Sequence, residues 1–285
     1  MNYSTQVSKK TLKIGGRLID LSIPRVMGIL NITPDSFFGG SRAGSLQEAT
    51  DKAGKMLAEG ATFVDIGGYS TRPGAADISL SEESERILSI IEPLSKYFPD
   101  LIISVDTFRS EVARCAVNGG AHIINDVSGG TLDAAMLDTV GTLQVPYVLM
   151  HMRGTPGTMN KLTAYNHLTV DIINELLPKL LKLKEGGMSD ILIDPGFGFA
   201  KTREQNFQLM NHLQAFHALG YPLLIGISRK GMIYKTLDSD ADHALNGTTV
   251  LNTLALDRGA SVLRVHDVKP AMEAVKLWMA TRAIH

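Results

Sequence analysis

Eight times along this chain a short, mostly β-branched apolar run stops abruptly at polar residues. The runs are "RVMGILNI", "TFVDIGG", "LIISVDT", "HIINDVSGG", "PYVLMHM", "DILIDPG", "PLLIGIS" and "SVLRVHD". A strand with one wet face alternates apolar and polar residues. These runs do not, so they read as strands buried on both faces, the habit of parallel sheets. Most are separated by stretches of helical period. Residues 45–61 are led by Ser45 with Glu48 three positions on, a capping-box pattern, and 79–98 open on Ser79 with Glu82. Residues 166–187 contain Pro178, which should kink or interrupt a helix, and close on Gly186 and Gly187. Strand and helix alternating eight times predict an α/β fold, a (β/α)8 TIM barrel. An open doubly wound sheet is the rival, but it gathers its polar residues at one switch point, whereas here every run ends in them.

The length of 285 residues suits one such barrel, since the fold takes roughly 250. The expected organisation is one domain over 1–285. Residues 1–24 form a polar tail and a β-hairpin turning at Gly15-Gly16, and 25–285 form the barrel. Lys plus Arg (28) nearly cancel Asp plus Glu (29), which argues against a nucleic-acid or membrane-surface partner. The lone Cys115 admits no intrachain disulfide, and its helical apolar setting reads as core rather than nucleophile. The first residues lack a signal-peptide core, and no apolar run approaches the ~20 residues of a membrane span. A cytoplasmic location is expected.

In a barrel the carboxyl ends of the strands share one rim, where chemistry occurs. Here they supply Asn31, Asp65, Asp106, Asn125, His151, Asp194, Ser228, Arg264, His266 and Asp267. An apolar strand has no structural need to end so, and polar endings on all eight point to a shared site. Two loops add cations. "GGYSTRPGAAD" places Ser70, Thr71 and Arg72 past the second strand, and "GISRKGM" places Ser228, Arg229 and Lys230 past the seventh, leading into an expected helix. Hydroxyl, guanidinium and ammonium groups at a helix start suit a multiply charged anion such as diphosphate. "GFGFAK" lacks the spacing of a nucleotide-binding phosphate loop. There is neither a Cys/His cluster for zinc nor a GxSxG elbow for a serine hydrolase.

Taken together, "GILNITPDSF", "DIGGYSTRPGA", "SVDT", "HIINDVSG", "LMHM", "LIDPGFGFAK", "GISRKGMI" and "RVHDV" resemble the dihydropteroate synthase family of pterin-binding enzymes, in the family's order from about residue 25 onward. The resemblance implies a transferase of a non-methyl alkyl group in folate biosynthesis. It would join 6-hydroxymethyl-7,8-dihydropterin diphosphate to 4-aminobenzoate and release diphosphate through a pterin-methyl cation. Implied pterin-binding residues are Asp106, Asn125, Met150, Asp194, Lys230 and Arg264. The implied diphosphate set is Asn31, Arg72, Arg264 and His266, with Asn31 holding Mg2+. The aminobenzoate slot would take Phe37, Thr71, Arg72, Pro73, Phe199, Ser228 and Lys230, a slot that sulfonamides mimic. Asn31, Arg72, Lys230, Arg264 and His266 are the implied catalytic groups, and the implied assembly is a homodimer. Pro34, Gly39 and Gly40 would let residues beyond Asn31 act as a lid, with "GGYSTRPG" as a second moving loop. Two departures stand out: the acidic residue the family often carries is missing at Gly39, and Tyr69 replaces a frequent Glu. A corrinoid methyltransferase of the same superfamily is the rival activity, but it has no use for Arg72, Ser228 and Lys230. A catalytically dead binding barrel is the other, against which the intact polar set argues.

Overall fold

The structure, a computed structural model, describes residues 9–32, 42–69 and 77–282. Strands β1 (Thr11–Ile14) and β2 (Arg17–Asp20) pair antiparallel. Gly15 and Gly16 turn between them at φ 53° and 79°. Two successive positive φ angles are what a two-residue hairpin turn requires, and glycine adopts them at no steric cost. Eight parallel strands then close into a barrel: β3 (Arg25–Asn31), β4 (Phe63–Gly67), β5 (Ile102–Asp106), β6 (Ile123–Asp126), β7 (Tyr147–Met150), β8 (Ile191–Asp194), β9 (Leu223–Ile225) and β10 (Ala260–Val265), with β10 returning to β3.

The helices around it are α1 (Arg42–Ala58), α2 (Leu80–Tyr97), α3 (Ser110–Asn118), α4 (Met136–Leu143), α5 (Leu168–Glu185), α6 (Arg203–Asn211), α7 (Gly231–Tyr234), α8 (Leu245–Asp257) and α9 (Val268–Arg282). Ser79 caps α2, its side chain accepting the Glu82 N–H at 3.1 Å. Three sequence expectations are corrected. Helix α1 starts at Arg42, so Ser45 lies inside it rather than at its cap. Helix α5 is not interrupted at Pro178, because Ile172 and Leu176 before the proline and Leu180 and Leu183 after it all bury against the barrel. Cys115 is only partly buried.

Side chains alternate in and out along each strand. The outward set, such as Val64, Ile66, Ile103 and Leu263, packs under the helices in the main core. The inward set begins with Met27, Phe63, Ile102, Ile123, Val148, Leu192, Leu224 and Val262, one from each strand. These pack against Leu12, Ile14 and Leu21 of the hairpin segment. Each such side chain, once buried, contributes about 1.5–3 kcal/mol. The hairpin therefore seals the amino end of the barrel with apolar surface, and the carboxyl end is left for chemistry.

Candidate active site

Two residues beyond that apolar layer, the same inward face carries Ile29, Asp65, Ser104, Asn125, Met150, Asp194, Gly226 and Arg264. One further step brings Asn31, Gly67, Asp106, Ser228 and His266. The strand period of two thus gathers residues far apart in the chain into two stacked rings at the carboxyl rim.

Arg264 is the hub of the first ring. Its Nε donates to Asp65 Oδ2 at 2.6 Å and its Nη2 to Asp106 Oδ2 at 2.7 Å. Asn125 Nδ2 donates to the same Asp65 oxygen at 2.9 Å. The Asn125 amide nitrogen is committed to that carboxylate, so its Oδ1 is left as an acceptor. Asp65 is fully buried, and its Oδ1 has no hydrogen-bond partner among the described residues. Burial pushes the Asp106 carboxyl up to about 7, against the pull of the Arg264 guanidinium and helped by the Asp65 charge.

Across the ring, Asp194 Oδ1 accepts the Gly196 N–H at 2.7 Å. Burial raises the Asp194 pKa, with Lys230 opposing. The Lys230 ammonium donates to the Phe197 carbonyl and lies 4.7 Å from the centre of the Phe199 ring. Burial lowers its pKa to about 8, with Asp194 opposing. Gly226 sits between these groups: a Cβ there would stand 3.9 Å from both Asp194 Oδ2 and Arg264 Cβ. Its missing side chain leaves the space between the Asp194 carboxylate and the Arg264 stem free of a side chain. Met150 is buried in a small apolar cluster with Val127, Met152, Met159 and Ala200, against which Phe199 and Phe108 pack.

The rim differs from expectation after β9. The expected helix there is α7, a single turn of four residues, so its dipole contributes little. Arg229 turns away at φ 55° and grips Asp267 with two bonds, 2.9 and 2.8 Å. Ser228 is buried, and its Oγ accepts the His266 N–H at 3.2 Å and lies 3.2 Å from His266 Nδ1. Asn31 leans over Gly67, its Oδ1 3.4 Å from where a Cβ on that glycine would lie. The Asn31 amide makes no side-chain hydrogen bond to another described residue. A cavity of about 470 Å³ opens beside Asn31 and His266, bordered by Lys52, Lys55 and Lys269.

The structure thus brings Asn31, Asp106, Asn125, Met150, Asp194, Phe199, Ser228, Lys230, Arg264 and His266 to one end of the barrel. Phe37, Thr71, Arg72 and Pro73 lie outside the described residues, as do residues 33–41 of the expected lid and 70–74 of the second expected moving loop. Among the described residues no group of three or more His, Cys, Asp or Glu is placed to hold a metal ion. The roles of Asp65 and Lys201 were not anticipated. A carboxylate embedded in an apolar strand signals that a buried partner must exist. Lys201 carries no comparable signal.

Residues 27–266 match the family model described as pterin binding enzyme. The dihydropteroate synthase of Escherichia coli K12 is 40% identical over 268 residues, covering 93% of this chain and 94% of that protein. Among solved structures, a Yersinia pestis dihydropteroate synthase in complex with a sulfonamide drug superposes with a TM-score of 0.89 at 39% identity, covering 96% of this chain and 99% of the other. The Xanthomonas albilineans enzyme with 4-aminobenzoic acid gives 0.88 at 38%, covering 98% and 100%. A family match over most of the chain, relatives of this identity and a shared barrel lead to one conclusion: the chain belongs to the pterin-binding enzymes, within the dihydropteroate synthase family.

Proposed function

We propose that this chain, acting as one barrel domain, condenses 6-hydroxymethyl-7,8-dihydropterin diphosphate with 4-aminobenzoate to give 7,8-dihydropteroate and diphosphate. The observation that carries the reading is the slot between Asp194 and Arg264 above Gly226, with Asn125 and Lys230 at its edges. A pterin presents adjacent N–H donors on one edge and ring nitrogens and a carbonyl on the others. Asp194 Oδ2, not engaged by Gly196, accepts from the donor edge. Asn125 Oδ1 accepts from another ring N–H, and the Lys230 ammonium donates to the carbonyl and N5. The Arg264 plane stacks on the ring with its fork held by Asp65 and Asp106. Met150 closes the opposite wall.

The substrate's CH2–O bond breaks with its electron pair leaving on diphosphate, and the electron-rich ring spreads the resulting positive charge. The unprotonated arylamine nitrogen then forms the C–N bond and loses a proton, so no strong base is needed. Catalysis lies in stabilising the departing anion. Arg229 turns to Asp267, whereas Arg264 is held inside the barrel mouth by Asp65 and Asp106, so Arg264, with His266 and Arg72, is assigned to that anion. Asn31, a neutral amide oxygen at the rim, would hold a Mg2+ ion there. The ion supplies electrostatic stabilisation of the diphosphate when bound. Ser228, Lys230, Phe37, Thr71, Pro73 and Phe199 are assigned to the aminobenzoate, with its carboxylate at Ser228. Exposed Val250 and Leu254 on α8 and Leu277 on α9 support a homodimer through these helices.

Asp194→Asn replaces one carboxylate acceptor by a donor. Calorimetric titration with pterin diphosphate is expected to show affinity lower by about 10–100-fold, the size of a lost hydrogen bond to a charged group. Ser228→Ala is expected to raise KM for aminobenzoate while leaving pterin affinity nearly unchanged. No diphosphate release with both substrates present, or equal losses for both substrates in the serine variant, would contradict the assignment.

A further inference from the structure

We propose that Lys201 is a positioning residue for pterin recognition: its buried ammonium fixes the backbone segment 195–200 that presents Asp194 and Lys230 to the ring. The inference rests on the pterin reading of those two residues. Lys201 closes the "GFGFAK" run, yet its ammonium points into the protein rather than toward a phosphate. Only 8% of the residue is exposed. A buried ammonium is tolerated where its donors are matched. Here Nζ lies 3.0 Å from His151 Nδ1, 2.9 Å from the Gly196 carbonyl and 3.1 Å from the Phe199 carbonyl.

Behind it, the acceptor is itself held. With Nδ1 accepting from Lys201, the proton of the neutral His151 ring sits on Nε2, which donates to Glu175 Oε2 at 3.0 Å. Arg153 Nε grips the same carboxylate at 3.0 Å. The ammonium is therefore tied to α5 and to the end of β7 before it meets the segment.

In front, the segment is pinned from outside: Asn206 Oδ1 accepts the Gly198 N–H at 2.6 Å and the Tyr165 hydroxyl donates to the Ala200 carbonyl at 3.0 Å, while Lys201 takes the Gly196 and Phe199 carbonyls. Gly196, Gly198 and Ala200 stand at φ 73°, 80° and 49°, and one backbone bond, Phe199 N–H to Gly196 O at 3.2 Å, links its two halves. Yet this segment sets both recognition groups. The Gly196 N–H orients the Asp194 carboxylate, the Phe197 carbonyl receives the Lys230 ammonium, and the Phe199 ring lies beneath that ammonium. By gripping the carbonyls at either end of the Gly196–Phe199 turn, Lys201 fixes the angle at which all three are offered. It touches neither reacting atom, so it acts through the segment.

The test is Lys201→Met, which fills the slot without donors, alongside Asp194→Asn. Thermal melts establish folding, titration with pterin diphosphate gives its Kd, and steady-state assays give KM for each substrate. A folded Lys201→Met protein is expected to show pterin Kd and KM raised roughly tenfold or more and, because the segment also carries Phe199 and steadies Lys230, a distinctly smaller rise of roughly threefold in aminobenzoate KM. A purely structural lysine would lower stability and affect both substrates alike, or neither, and either result overturns the proposal. If the methionine variant does not fold, Lys201→Gln keeps one amide donor. A smaller rise in pterin Kd of roughly threefold is then expected, and its absence in the folded protein is equally fatal. Loss of pterin affinity in Asp194→Asn but not in the Lys201 variants removes only the positioning role. Retention in both removes the pterin reading and this role with it.

Discussion

Asp65 shows how much can rest on one carboxylate that touches no reacting atom. Its Oδ2 receives Arg264 Nε and Asn125 Nδ2, so it sets both the plane of the guanidinium and the face of the amide. Asp65→Asn would present either a weaker acceptor or an N–H to two donors. The expected result is a loss in kcat/KM of about 10–100-fold, from a forfeited charge-assisted bond worth ~1.5–3 kcal/mol. Steady-state kinetics with both substrates check it; a variant within twofold of the parent would mean Asp106 alone holds Arg264. That Asp65 is a buried charge in need of a partner was legible from its apolar flanks. Which partners it has was not: Asn125 lies 60 residues away and Arg264 199, and only barrel closure makes them neighbours.

At the level of elements, strand parity does most of the organising. Phe63, Asp65 and Gly67 share one face of β4, while Val64 and Ile66 share the other and pack under the helices. Such alternation is readable along a strand, so Asn31, Asp106, Asn125, Asp194 and Arg264 could be placed on one rim before any coordinates. The helix expected after β9 is there, but its length of four residues was not legible, because so short an element is below any window that measures helical period. Helix α5 continues past its proline for a different reason. A proline breaks a helix locally, but the apolar face of α5 on either side of Pro178 gains more by staying packed. Proline in a helix interior still removes one backbone bond and crowds the preceding turn. Pro178→Ala is therefore expected to stabilise the protein by about 1–2 kcal/mol, the helix gain less the stiffness proline lends the unfolded chain. Urea unfolding measures it. Destabilisation would mean that the helix needs the proline's shape to seat Leu176 and Leu180.

The molecule as a whole should feel its buried histidine as acid is added. His151 is 1% exposed, and burial chiefly, with nearby Lys201, lowers its pKa to about 4 despite Glu175. Because the folded value lies below the ordinary 6.5, the unfolded chain takes up this proton first as pH falls. Stability is then lost progressively between pH 6.5 and 4, by up to about 3 kcal/mol from this group. Asp106 works the other way: its raised value near 7 means the folded state binds a proton the unfolded chain does not, so stability rises as pH falls from 7 toward 3.8. The two are separated by comparing His151→Gln with the parent. Melts at pH 7.5 and 4.5 are expected to show a smaller acid-induced fall in the variant. An identical fall in both would mean that His151 is not kept neutral by the fold.

Order along the chain sufficed for the barrel, the sealing hairpin, the family and the rim carrying the polar residues. Those features follow from local regularities: the period of strands and helices, glycine at a turn, and polar residues ending apolar runs. Closure of the barrel settled what linear order leaves open. It paired Asp65 with Asn125 and Arg264, drew Arg229 off to Asp267, and set Lys201 behind the segment that carries Asp194. Those outcomes depend on distances across a closed surface, where a buried charge takes whichever partner the opposite strands bring within reach. No pattern confined to neighbouring residues encodes that choice.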